Sequence, residues 1–424
     1  MDLAGLPLSP KQIRSIARSQ NHRFSIWSGA VRSGKTIASL VAFLIAMAQA
    51  PSSGLVLIVG RSLQTIERNI LDPLQDYALF GALANQVQHT RGATTATILG
   101  RTVHLIGASD SRAEGRLRGL TACLALADEM TLLPEEFLNQ LLARLSVPGA
   151  RALGTTNPDS PSHWLKRKYL DRARELDLGH WHFTLDDNPV LEDAYKDALK
   201  AEYGVGTLWY DRFILGLWKA AEGAVYGMFD ESRHVVDIVP AIQQYISLGV
   251  DYGTQNPLHA VLIGQGVDGR LYVTSEWRHD GRATMHSLTD MEYSERLRDW
   301  LASLRPPGSH TTGVHPKYIV VDPSAASFIT QLHRDRMYPV PAKNAVLDGI
   351  RMVSSLLASD KLLIHRSCTE LIREIQGYVW DPKAALLGED KPLKSTNADH
   401  GLDALRYGLV TTESLWRRQI EEVA

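Results

Sequence analysis

The stretch "WSGAVRSGKT", residues 27–36, decides how the first half of this 424-residue chain is read. "RFSIWSG" (23–29) has the character of a short strand, and the apolar run Ile37 to Ala48 predicts a helix. Between them, Gly29-x-x-x-x-Gly34-Lys35-Thr36 fills every position of a phosphate-binding loop. Gly29 and Gly34 let backbone N–H groups turn toward phosphate oxygens, and the helix N-terminus adds positive potential. Lys35 then reaches the β/γ-phosphates and the Thr36 hydroxyl ligates Mg²⁺, so ATP with Mg²⁺ is the expected ligand.

A phosphate loop of this kind needs acids nearby, and "ACLALADEM" (122–130) supplies them. Cys123 to Ala127 reads as a buried strand with Asp128 and Glu129 at its end. In a parallel sheet that end lies beside the phosphate loop. There Asp128 holds Mg²⁺, through water or directly, and Glu129 polarises the attacking water as general base. Three more buried strands are expected in "SGLVLIVG" (53–60), "TVHLIGA" (102–108) and "ARALGTTNP" (150–158). The last ends in Thr155, Thr156 and Asn157, which read either as γ-phosphate sensors or as an ordinary Asn-Pro turn. Arg32 inside the loop, and Arg112, Arg116 and Arg118 in "SRAEGRLRG" (111–119), are candidates for an arginine finger, with solvated loop arginines as the plain alternative. Gln12, in "LSPKQ", is a candidate for adenine recognition.

Composition narrows the class. The chain is 44% hydrophobic and 22% charged, with a net charge of −2, so nucleic-acid binding would have to come from a local patch. Cys123 and Cys368 lack metal-ligand spacing and read as reduced core residues. The longest apolar run, Leu40 to Ala48, falls short of the roughly 20 residues a bilayer span needs, and "MDLAGLPLSPKQ" lacks the features of a signal peptide. An intracellular protein with no membrane association is expected. Residues 1–175 form the expected ATPase domain, and 176–244 a connecting subdomain with the turn "LDDNP" (185–189) and helical periodicity over 190–220. Residues 245–424 form a second domain.

That second domain carries dispersed acids. "YISLGVDYG" (245–253) alternates, which puts Asp251 at its end on the face opposite Ile246, Leu248 and Val250. "HAVLIGQGVDGRLYVTSEW" (259–277) reads as a hairpin turning at Val267-Asp268-Gly269, with Glu276 near the end of the returning strand. "KYIVVDPSA" (317–325) is a buried strand ended by Asp322, and "NADHGLDALRYG" (397–408), if helical, puts His400 and Asp403 on one face. Hard oxygen ligands at strand and helix ends suit two Mg²⁺ or Mn²⁺ ions, the equipment of phosphodiester hydrolysis. The expected fold class is therefore α/β, a P-loop NTPase parallel-sheet domain followed by a ribonuclease-H-like mixed-sheet nuclease domain.

"LSPKQ", "WSGAVRSGKT", "LALADEM", "GTTNP", "DNP", "GAVYGMFD", "GVDYG", "VVDPSA" and "NADHGLDALRYG" occur in that order, and the set resembles the large terminase subunit of tailed bacteriophages over nearly the whole chain. The resemblance implies an ASCE-type ATPase that drives double-stranded DNA into a procapsid, and a nuclease that cuts concatemeric DNA when packaging starts and ends. It also implies a small terminase subunit and a portal protein as partners, a homo-oligomeric ring (a pentamer) when docked, and residence in the host cytoplasm. Carried over, it makes Lys35, Thr36, Asp128 and Glu129 the ATPase residues and Thr155 to Asn157 the coupling segment. Asp251, Asp322 and Asp403 become the nuclease acids, joined by His400 and, as a fourth acid, Glu276. Arg32 is the finger in cis, or Arg116 or Arg118 acts in trans within the ring. "HWLKRKYLDRAR" (163–174) is basic with interleaved aromatics and reads as a DNA track or as an amphipathic helix with Trp164 and Leu165 inward. Two rivals stay open: a cellular helicase-nuclease built from the same parts, and a docking subunit whose nuclease half is silent.

Overall fold

The computed structural model describes residues 6–108, 113–253, 257–281, 284–285, 288–394 and 399–421, in two compact units. The first comprises residues 1–199, 208–220 and 386–389; the second comprises 200–207, 221–385 and 390–424. Each is built on its own sheet.

The first sheet has eight strands: β1 (Phe24–Gly29), β2 (Leu55–Gly60), β3 (Val87–Gln88), β4 (Thr95–Ile98), β5 (Arg101–Gly107), β6 (Ala122–Ala127), β7 (Arg151–Thr156) and β8 (Leu178–Phe183). Their order is β3-β4-β5-β2-β6-β7-β1-β8. From β5 to β8 every pairing is parallel, and β3 and β4 add an antiparallel edge. Runs such as "LVLIVG" and "ACLALA" are apolar at nearly every position because helices cover both faces of the parallel part. The strand β7 lies between the phosphate-loop strand β1 and the acid-bearing strand β6. Its end therefore sits next to both.

The second sheet has the order β14-β13-β10-β11-β12-β15-β9. Its strands are β9 (Val235–Val236), β10 (Ile242–Asp251), β11 (Leu258–Gly266), β12 (Leu271–His279), β13 (Tyr318–Val321), β14 (Pro339–Pro341) and β15 (Leu362–His365). The antiparallel meander β10-β11-β12 continues into parallel strands on both sides. This is the expected mixed sheet of ribonuclease-H type. The predicted turn is present, with Gly269 at φ +78°. The His400–Thr411 helix lies against β10 so closely that a Cβ on Gly249 would stand 1.9 Å from the Ala404 carbonyl oxygen. Only glycine admits that approach.

Residues 176–244 are not a separate subdomain. Strand β8 completes the first sheet while β9 and the start of β10 belong to the second. The helical stretch splits into Asp193–Tyr203 and Leu208–Phe213. No described helix is long and apolar enough to cross a membrane.

Candidate active sites

In the first unit, the loop after β1 lies at the carboxyl end of the parallel strands. Gly29 has φ +150° and Gly34 has φ +78°, and a Cβ on Gly29 would stand 2.0 Å from the Phe183 carbonyl oxygen. Lys35 opens the Lys35–Gln49 helix and is buried, with Nζ donating to the Ala30 carbonyl at 2.9 Å and to Asn157 Oδ1 at 2.7 Å. Burial lowers its pKa to about 8, although Asp128 and Glu129 oppose that shift. A buried cation whose hydrogen bonds go to neutral oxygens is suited to a phosphate. Thr36 follows on the first turn of the same helix, half-buried.

Asp128 is 3% exposed and is gripped on both oxygens. Thr155 Oγ1 donates to Oδ1 at 2.7 Å, and Asn69 Nδ2 donates to Oδ2 at 2.8 Å. Glu129 takes the left-handed conformation, φ +49°, rare outside glycine and a mark of functional strain. Its pKa is raised by burial first and by Asp128 second, against Lys35, Arg68 and Arg61. A carboxyl whose pKa is raised in this way suits a general base.

The threonine-asparagine segment divides its work. Asn157 meets Lys35 and Thr155 meets Asp128, but Thr156, expected at the nucleotide, points the other way. Its hydroxyl, on a side chain that is fully buried, donates to Thr131 Oγ1 at 3.1 Å. Alternation along β7 makes that split unavoidable. Gln12 does reach the loop: Nε2 donates to the Gly34 carbonyl at 3.0 Å, and Asn188 Nδ2 donates to the Arg32 carbonyl at 2.6 Å. Arg32 itself is exposed at φ +54°. Arg116 and Arg118 are exposed as well, with Arg116 Nη1 donating to the Gly107 carbonyl at 2.8 Å; Arg112 lies outside the described residues.

Asn69, Arg61 and Arg68 escaped the sequence reading. Asn69 sits on a single turn of π-helix, Glu67–Leu71, beyond the end of β2. Such turns gather at functional sites. The one available signal was position: "GRSLQTIERN" follows a parallel strand next to β6, where side chains converge on a ligand. The basic stretch 163–174 folds as a short helix, Trp164–Lys168, followed by a turn of 3-10 helix, Leu170–Arg172. Leu165 is buried and Trp164 packs on the core, while Lys166 pairs with Asp171, Lys168 with Glu135 and Arg172 with Glu175.

In the second unit, Val250 pairs with Val321, so Asp251 and Asp322 leave neighbouring parallel strands side by side, and the His400–Thr411 helix brings Asp403. Each acid already has a partner from that one helix. His400 Nδ1 donates to Asp251 Oδ2 at 2.7 Å, the Tyr407 hydroxyl donates to Asp322 Oδ2 at 2.8 Å, and Arg406 pairs with Asp403. Asp322 also accepts from the Ser324 N–H at 2.7 Å. Burial pushes its pKa up, but the Ser324 and Tyr407 hydrogen bonds outweigh this and leave it lowered. His400 is likewise penalised by burial, yet Asp251 keeps it raised. Among the described residues no three His, Cys, Asp or Glu side chains converge closely enough to hold a metal. The donor chemistry suits a hard divalent cation, and binding one would require the acids to exchange these partners.

Glu276 is not the fourth acid of that group. It lies on β12, opposite Val261, nearly buried. It accepts from the N–H groups of Glu370 and Leu371 at 2.8 and 3.0 Å and from His259 Nε2 at 2.9 Å. The strand-end position was legible, but the side chain is taken up by the first turn of the Thr369–Gly377 helix and by His259.

Comparison with known proteins agrees with both halves. A family model described as the N-terminal part of the T4likevirus-type terminase large subunit matches residues 26–233. The terminase large subunit of Escherichia phage T5 is 26% identical over 290 residues, 65% of this chain; the match spans only 61% of that relative's length. The crystal structure of the large terminase from a thermophilic bacteriophage is 36% identical, covers 96% of this chain and 99% of its own, and superposes with a TM-score of 0.77. The same thermophilic-phage protein in complex with ADP, and with ATP-gamma-S, matches at TM-scores of 0.75 and 0.74. With a phosphate loop and acid strand at one sheet end, three dispersed acids at another, and 36% identity to a relative matched almost end to end, this chain belongs to the bacteriophage large terminase family.

Proposed function

We propose that this chain is the ATPase and endonuclease subunit of a viral DNA-packaging motor. ATP hydrolysis in the first unit would drive double-stranded DNA into a procapsid, and the second unit would cut concatemeric DNA at the start and end of packaging. One observation carries the motor reading: Lys35 is buried, pinned by Asn157 and the loop carbonyl, and lies near Asp128 and Glu129. The glycine cradle fits phosphate oxygens, because no side chain fits at Gly29 or Gly34. Lys35 would move from Asn157 to the β/γ-phosphates, leaving Asn157 to register whether the γ-phosphate is there. Glu129 would take the proton of the attacking water. Thr36 and Asp128 would hold Mg²⁺, which neutralises charge on the transferring phosphoryl group. Arg32 in cis, or Arg116 or Arg118 from a neighbouring subunit, would supply the finger. The thermophilic-phage relative in complex with ADP and with ATP-gamma-S supports nucleotide binding here.

In the second unit Asp251, Asp322 and Asp403 would hold the divalent ions, two Mg²⁺ or Mn²⁺, with His400 at their edge. Such ions activate water and stabilise the leaving oxygen of a phosphodiester. That all three acids are engaged with His400, Tyr407 and Arg406 favours a nuclease at rest until DNA or a partner arrives, with a permanently silent nuclease half as the second reading. The partners would be the small terminase subunit and the portal protein, around which copies of this chain would form a ring of five in the host cytoplasm.

The test is plasmid cleavage with Mn²⁺, Mg²⁺ or EDTA, run beside Asp322→Ala, with ATP hydrolysis measured in parallel. Metal-dependent nicking lost in Asp322→Ala supports the nuclease. ATP hydrolysis without nicking under any metal, even with DNA and partners added, favours the silent reading.

A further inference from the structure

Three buried ionisable side chains of the second unit take no part in the chemistry above: His259, Glu276 and Glu374. Glu276 caps the Thr369–Gly377 helix through the N–H groups of Glu370 and Leu371. Glu374, carried by that helix, does the same for the next one. Its Oε2 accepts from the Gly401 and Leu402 N–H groups, at 2.7 and 3.1 Å, in the first turn of the His400–Thr411 helix. His259 stands between the two glutamates, with Nε2 at 2.9 Å from Glu276 and Nδ1 at 3.5 Å from Glu374 Oε1. That Nδ1 and that Oε1 have no hydrogen-bond partner, so the pair face each other. Two helix N-termini and one imidazolium thus compensate two carboxylates that burial would otherwise make costly. Burial opposes the charged imidazole, but the two glutamates outweigh it and hold its pKa up, at about 9.

The fit is tight where it matters. A Cβ on Gly401 would stand 2.5 Å from His259 Cε1 and 2.9 Å from Glu374 Oε2. Gly401 directly follows His400, which bonds Asp251, and precedes Asp403 by two residues. His259 lies opposite Asp251 in the β10–β11 register. The cluster therefore ties the first turn of the His400–Thr411 helix to the strand next to the one that carries Asp251.

We propose that His259, Glu276 and Glu374 are positioning residues that fix the N-terminus of the His400–Thr411 helix and so set His400 and Asp403 against Asp251 and Asp322. This rests on the nuclease reading. Loss of such outer partners typically weakens metal affinity by about 10- to 100-fold.

The experiment is a Mn²⁺ titration by calorimetry on the full-length chain: wild type, Asp322→Ala, Glu374→Leu, Glu374→Gln and Gly401→Ala. Binding of a fluorescent ADP analogue and thermal unfolding are followed in parallel. The binding lost in Asp322→Ala defines the acid-cluster site. Glu374→Leu and Gly401→Ala are expected to weaken that site by about 10-fold or more. Glu374→Gln, which keeps an acceptor oxygen for the two N–H groups, is expected to restore most of the affinity, and ADP binding should not move. Wild-type Mn²⁺ affinity in both folded variants would overturn the proposal while leaving the nuclease reading intact. If Glu374→Leu does not fold, Gly401→Ala decides, since it leaves every charged group in place. Absence of Mn²⁺ binding in the wild type would remove the nuclease reading and this inference together.

Discussion

The two acid sites of this molecule are built on opposite plans. Asp128 and Glu129 are adjacent in sequence, end one buried strand and face a lysine supplied by a single loop. Asp251, Asp322 and Asp403 come from two strands and a late helix, and each meets a different cationic or hydroxyl partner. The first site depends on short-range geometry, with strain stored at Glu129 and freedom at two glycines. The second depends on how one helix seats on a sheet, which Gly249 and Gly401 permit and Glu374 fixes. A local site keeps its geometry as long as its strand and loop fold. A dispersed one can be present in every residue and still be held back by its neighbours.

The sharpest break of this comparison is reciprocal mutation. Lys35→Ala removes the cation proposed to meet the phosphates and should lower ATP hydrolysis by about 10²-fold or more, with plasmid nicking retained. Asp322→Ala should abolish metal-dependent nicking and leave the ATP hydrolysis rate unchanged. Loss of both activities in either variant would mean that the two sites are not independent.

Asn69→Ala should act on the first site alone, and more mildly. It frees one oxygen of Asp128, and an outer partner of this kind is worth about 10-fold in affinity for a metal-bound nucleotide. Comparing ATP binding with and without Mg²⁺ checks it. An equal loss in both would show that Asn69 supports the fold and has no particular bearing on Asp128.

The smallest effect concerns His180 on β8, whose Nε2 accepts from Ser28 Oγ at 2.7 Å beside the phosphate-loop strand. Close packing of protein around the ring, then the charges of His182 and Lys166, lower its pKa from 6.5 toward 4, although part of the side chain is exposed to solvent that screens the shift. The unfolded chain therefore binds a proton between these values when the folded chain does not. Stability from this group is retained above pH 6.5 and falls as the pH drops toward 4, an effect that solvent at this exposed side chain reduces. Urea denaturation of wild type and His180→Gln at pH 7.5 and 5.5 should show a smaller acid loss in the variant. Equal losses would mean that His180 protonates without unfolding the strand.

Much of this was legible beforehand because some signals are local. The phosphate loop, the five buried parallel strands flanking it and the meander carrying Asp251 follow from runs of apolar residues, alternation and glycine spacing within a few residues. Asp251 and Asp322 end neighbouring parallel strands, as the strand positions implied, and the His400–Thr411 helix that carries Asp403 bonds both of them through His400 and Tyr407. Residues 176–244 misled because no local pattern announces that β8 joins a sheet begun at residue 24. Thr156 misled because the phase of β7 decides which threonine faces the acid, and one residue of phase turns a side chain to the other face.

The sequence by itself determined the phosphate-loop pattern, the α/β class and the identities of the candidate acids, since each is encoded in spacing along a strand or helix. Only the tertiary structure decided which side chains meet across long separations. It gave Asn69 to Asp128, gave Glu276 to His259 and a helix N-terminus, and set a partner on each of Asp251, Asp322 and Asp403. The reason is physical. A carboxylate looks alike in sequence whether it ligates a cation or caps a helix, and only the packing of distant elements settles which donors reach it.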